Sequence, residues 1–233
     1  MSSVRIVHPI LVVAALAAPL LAAAAPVQPD PFTRTFPVRK ADLKSSGRNP
    51  YFILEPGFTA VLDGGGEHLT ITVLRETKMV DGVETRVVEE RELKDGKLVE
   101  VSRNYFAIEP KSSDVYYFGE DVDMYKDGRV VSHEGAWLAG IKSAHFGLMM
   151  PGKPAVGVRH YQEVAEGQAM DRAEIVSMSA LLVTPAGTFR NCVKVEETSP
   201  LEPGTREYKL YAAGVGLIQE GEMKLVRYGQ SLK

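Results

Sequence analysis

Three Asp-Gly dipeptides constrain this chain more than any other feature. Asp81-Gly82, Asp95-Gly96 and Asp127-Gly128 each stand between runs rich in valine, tyrosine or threonine. Asp-Gly at a hairpin tip supplies the two positive φ angles of a tight antiparallel turn. Asp63-Gly64-Gly65-Gly66 is a looser form of the same device. The turns delimit strands at Phe58 to Leu62, His68 to Val80, Val83 to Leu93, Lys97 to Ile108, Val115 to Tyr125 and Arg129 to His133. A second group runs Ala173 to Val183, Thr188 to Glu197, Arg206 to Tyr211 and Leu217 to Tyr228, punctuated by Pro185-Ala186-Gly187 and by the stretch from Pro200 to Gly204.

Leu69, Ile71 and Val73 alternate with Thr70 and Thr72, the period of a half-buried strand. Val83 to Leu93 carries Glu84, Arg86, Glu89, Glu90, Arg91 and Glu92, so one face of that strand is expected in solvent, with Glu89 and Glu90 exposed. The fold class expected is mainly β: an antiparallel meander forming a curved sheet or partial barrel, with one long irregular or short-helical segment. A two-sheet sandwich is the alternative. Trp137 to Met150 is the best candidate for a short helix. Glu134 to Gly157 is expected to lie across the concave face or plug an end, with Trp137 and Met149 turned inward.

Met1 to Ala25 reads as a secretory signal: Arg5 is its positive n-region, Ile10 to Leu21 its apolar run, and Ala22 to Ala25 its small-residue cleavage site. The expected organisation is a signal peptide over 1–24, an extended lead-in over 25–50 and a single β-rich domain over 51–233. The lead-in is expected because Pro26, Pro29, Pro31, Pro37 and Pro50 disfavour regular structure. Cleavage removes one basic residue, taking the net charge from −3 to −4. A periplasmic or secreted protein follows, with no membrane span after signal removal. A pI near 6.0 speaks against a nucleic-acid partner, which requires a concentrated basic surface.

No nucleophile elbow, phosphate cradle or zinc-ligand spacing occurs, so a non-enzymatic protein without a cofactor is expected. One cysteine, Cys192, excludes an intramolecular disulfide. Strict alternation would group it with Arg190 and Lys194, whereas a bulge at Asn191 would bury it. His145, Met149, Met150 and His160 form the densest group of soft ligands, a candidate copper site in an extracytoplasmic protein; the alternative is apolar filling. Glu163, Glu166, Asp171 and Glu174, interleaved with Arg159 and Arg172, read as a solvated, salt-bridged loop. Glu120-Asp121-Val122-Asp123 before Asp127-Gly128 reads as a hairpin approach, since its spacing does not meet the calcium-loop pattern.

The C-terminal segment Tyr211-Ala212-Ala213-Gly214-Val215-Gly216-Leu217-Ile218-Gln219-Glu220 resembles the closing strand pair of a family of secreted bacterial β-sheet proteins. Glu134-Gly135-Ala136-Trp137, Met150-Pro151-Gly152-Lys153-Pro154 and Tyr161-Gln162-Glu163 extend the likeness. Its motifs are structural turns, and the resemblance implies no known activity. Lipocalin-like folds are comparable at the level of architecture alone. The expected function is extracytoplasmic binding of an apolar or amphipathic small molecule or lipid in the concave sheet face, with Trp137, Phe146 and Met149 as ligand contacts. The rivals are a copper-binding protein using His145, Met149, Met150 and His160, and an envelope module that recognises a protein through a sheet edge.

Overall fold

Antiparallel pairing accounts for nearly all of the structure, a computed structural model that describes residues 30–230. The proposed signal segment lies outside the described residues. A single 3-10 turn, Lys40–Asp42, precedes the strands. They are β1 (Gly47–Asn49), β2 (Phe52–Leu54), β3 (Phe58–Gly64), β4 (Glu67–Val80), β5 (Val83–Lys94), β6 (Lys97–Ile108), β7 (Val115–Lys126), β8 (Arg129–Ser132) and β9 (Trp137–Leu138). The second half adds β10 (His145–Met150), β11 (Arg159–Tyr161), β12 (Glu163–Val164), β13 (Arg172–Thr184), β14 (Gly187–Thr198), β15 (Glu207–Ala212), β16 (Gly216–Glu220) and β17 (Met223–Gln230).

The Asp-Gly turns form as their residues require. Asp81 and Gly82 have φ of 48° and 77°, and the pairs at 95–96 and 127–128 match them closely. The main sheet runs β11-β13-β14-β15-β16-β17-β3-β4-β5-β6-β7-β10-β12. β11 and β12, its two ends, are separated in sequence by Gln162 alone. The ends are therefore tied together, and the sheet curls into a nearly closed barrel. Gly147 on β10 makes this seam possible: a Cβ there would lie 2.3 Å from the Gln162 carbonyl oxygen. Among the described residues no helix is long and apolar enough to cross a membrane.

Four expectations are corrected. Trp137 to Met150 forms no helix; β9 and β10 both pair with β7, so the segment extends the sheet instead of lying across it. Leu217 to Tyr228 is two strands, because Gly221 turns the chain at a positive φ of 53°. The lead-in is extended but packed: Leu43 is buried, the Phe36 ring meets Tyr116 at 5.8 Å, and Thr33 bridges His160. Its apolar residues dock on the sheet although its prolines prevent a long strand. Glu90 is not on the solvent face of β5: it shares the inward side with Val88, while on the other face Arg91 is exposed and Glu89, expected to be exposed, is half-buried beside Arg103.

Candidate functional site

The rungs of the curled sheet show what lines its inside. Val73, Val88, Asn104 and Glu120 lie side by side across β4, β5, β6 and β7, and Trp137 on β9 continues the row. The next rung is Ala60, Ile71, Glu90, Ser102 and Val122, and the one beyond it Leu62, Leu69, Glu92, Glu100 and Met124. Side chains alternate between the faces of a strand, so aliphatic residues in β3 and β4 and polar ones in β5 to β7 share one concave surface. An irregularity at Phe118–Gly119 allows Tyr117 and Glu120 both to face inward. Across the lumen, β14 and β15 present Val195 beside Lys209 and Glu197 beside Glu207, and β16 presents Glu220 opposite Lys209.

One ammonium group stands among these carboxyls. Lys209 Nζ lies 3.0 Å from Glu197 Oε2 and 2.9 Å from Glu220 Oε1. Gln162, at the seam, donates to Glu197 Oε1 at 2.9 Å. The Tyr117 hydroxyl donates to Asn104 Oδ1, and Asn104 in turn donates to Ser102 Oγ at 3.1 Å. Burial works against the Lys209 charge, but Glu197 and Glu220 outweigh it and hold its pKa well above the ordinary value.

The other inward carboxyls are not compensated in this way. Burial, reinforced by Glu220, pushes Glu90 up to about 8. Burial with Glu100 and Glu220 raises Glu92 to about 7, and burial raises Glu120 to about 7 although the neighbouring Tyr117 hydroxyl works the other way. Glu163 and Asp171 are raised by burial and by neighbouring carboxyls. The expected solvated loop around Gly167 is thus split. Glu166 pairs with Arg34 and Glu174 with Arg159 at the surface, whereas Glu163 and Asp171 turn inside.

Two openings meet this polar group. An apolar hollow of about 80 Å³ is bounded by Phe52, Phe58, Ile71, Val73, Met149 and Leu217 and reaches Glu90, Lys209 and Glu220. A wider cavity of about 940 Å³ lies by the strand ends near Glu67, Lys94 and Gly221, and also reaches Glu92, Glu207 and Glu220. Arg86 helps close the other end: its guanidinium is buried and donates to the Ser45 carbonyl at 2.8 Å and the Arg75 carbonyl at 2.6 Å.

The residues singled out from sequence are distributed as follows. Trp137 is buried on the inner face, 5.4 Å from the Tyr117 ring and nearly perpendicular to it, and its Nε1 has no hydrogen-bond partner among the described residues. Phe146 stacks on Phe118 at 4.8 Å and so serves packing. Met149 borders the apolar hollow, whereas Met150 lies in the core, and the pairing with β7 is irregular between Leu148 and Met150. His145 is half-buried. His160 is buried, hydrogen-bonded to the Leu148 backbone and lowered to about 4 by burial. Among the described residues no three His, Cys, Asp or Glu side chains are grouped to hold a metal ion. Cys192 is fully buried next to Asn191, whose φ of 54° marks the irregular backbone there.

Sequence reading missed Glu90, Glu92, Glu120, Glu197, Lys209 and Glu220. The available signal was a charged residue continuing an apolar parity, as in Val88-x-Glu90-x-Glu92 and Val193-x-Val195-x-Glu197. Comparisons with family models, with curated proteins and with solved structures return no match to this chain.

Proposed function

We propose that this chain is a non-enzymatic binding protein of the extracytoplasmic space that holds an amphipathic small molecule inside its curled sheet. The observation that carries the reading is continuity between unlike surfaces: the hollow bounded by Phe58, Ile71 and Val73 runs directly into Glu90, Lys209 and Glu220. A solid core would place aliphatic residues at those positions, because a buried ion pair is seldom more stabilising than apolar packing of the same volume. A ligand with an apolar tail and a polar head suits both surfaces. Binding sites generally combine an apolar lining with a few convergent polar groups.

Titration with 1-dodecanol, followed by the emission of Trp137, the only tryptophan, tests this reading. Saturable binding is expected in the wild type. Binding is expected to be lost in Ala60→Phe, which fills the hollow at a buried inward position. A wild type that neither changes its emission nor gains thermal stability would overturn the proposal.

A further inference from the structure

Resting on that reading, we infer that the head group received in this lumen is an organic cation, an amine or quaternary ammonium, held against Glu90, Glu120 and Glu163. The first ground is charge. Nine carboxyl groups lie along the lumen, its rim and its seam: Glu197 and Glu220 pair with Lys209, while Glu90, Glu92, Glu100, Glu120, Glu163, Asp171 and Glu207 have no ion-pair partner among the described residues. An anionic head would meet carboxyl groups on most sides, and the one ammonium beside them, Lys209, is already held by Glu197 and Glu220. A cation would supply the counter-charge the wall lacks.

The second ground is an unfilled hydrogen-bonding position. Glu163 is nine-tenths buried, and its Oε2 has no hydrogen-bond partner among the described residues. Glu163 follows Gln162, whose amide donates to Glu197 Oε1 at 2.9 Å, and its own backbone N–H donates to the Asp171 carbonyl at 3.3 Å, so it sits at the seam beside the lumen. Leaving a buried carboxyl oxygen unbonded costs free energy, and a donor from a ligand removes that cost. An ammonium N–H is such a donor, and its bond to a carboxylate is among the stronger hydrogen bonds. The third ground is the wall beside Glu120, where Tyr117 and Trp137 stand at 80° to each other. Aromatic faces next to carboxylates attract ammonium and quaternary ammonium groups.

The carboxyls also define a chemical signature. Several hold protons near neutrality, so a cation entering the lumen displaces them. Binding then releases protons to the buffer, which a neutral head does not do.

Calorimetric titration of the wild type with dodecylamine, dodecyltrimethylammonium, 1-dodecanol and dodecanoate keeps the tail constant while the head varies. Repeating the amine titration at pH 7 in phosphate and in Tris counts the protons released. The inference expects both cations to bind at least about ten-fold more tightly than dodecanol, dodecanoate to bind most weakly, and protons to be released with the cations alone. Glu163→Gln is expected to narrow the gap between amine and alcohol while retaining dodecanol binding, which also reports that the variant is folded. Equal affinity for all four heads would overturn the cation assignment and leave the binding reading intact. Failure of all four to bind would overturn both. Displacement of dodecylamine by equimolar calcium chloride would overturn the assignment in favour of a metal ion.

Discussion

Replacing Glu90 by glutamine should stabilise this protein, and the effect should depend on pH. Glu90 ionises near 4.5 in an open chain but only near 8 in the folded state, because burial and the Glu220 carboxyl disfavour its charge. Its folded pKa is raised, so the folded state takes up a proton that the unfolded chain releases between those two values. The contribution of Glu90 is therefore at its best below pH 4.5 and is lost as pH rises toward 8. The loss is about 1.4 kcal/mol per pH unit, so about 3.5 kcal/mol at pH 7 as an upper bound. Neighbouring carboxyls readjust and water enters the lumen, which reduces the expected gain to about 1–2 kcal/mol. Glutamine keeps the shape and does not titrate. Urea unfolding, followed by Trp137 emission at pH 4.5, 6, 7 and 8, measures the difference directly. The variant should match the wild type at pH 4.5 and exceed it progressively to pH 8. A difference that stays constant with pH, or that favours the wild type at pH 8, would refute the placement of Glu90 in the lumen.

Lys209→Met should destabilise by about 3 kcal/mol at pH 8, since it leaves Glu197 and Glu220 enclosed without their cation; urea midpoints unchanged from the wild type would count against that pairing. Gly82→Val should destabilise by about 1 kcal/mol or more through φ alone, because nothing lies within 4 Å of a Cβ there. Glu89→Ala at the outer face of β5 should shift stability by no more than about half a kcal/mol, and equal urea midpoints for Gly82→Val and Glu89→Ala would contradict the turn assignment. Burial raises the Cys192 thiol pKa, so it should react with Ellman's reagent only on unfolding; prompt reaction of the native protein would place it at the surface.

The hairpins were legible because their determinants are local: an Asp-Gly turn fixes its own dihedrals and the alternation beside it identifies the strands. The sidedness of β5 was not legible from such rules. Glu90 and Arg91 are both charged neighbours, and a period of two separates them onto opposite faces without saying which face closes on itself. That depends on curvature, which is fixed by distant features such as the close approach of Gly147 to Gln162. The same holds for Glu163 and Asp171, which flank a polar turn with Glu166 yet are drawn inward because the seam passes through Gln162. β10 escaped recognition since the irregularity before Met150 interrupts its alternation. Trp137 and Met149 were singled out as apolar residues in an otherwise weakly patterned segment, and both lie on the lumen side. Phe146, chosen on the same ground, is absorbed by its stack with Phe118.

Native mass spectrometry of the protein isolated from its own compartment, without detergent, tests the central claim most directly. The account predicts a species heavier than the polypeptide by one small organic molecule, lost on unfolding and absent from Ala60→Phe prepared in the same way. A polypeptide that carries no additional mass, and gains none when incubated with dodecylamine or dodecanol, would contradict it.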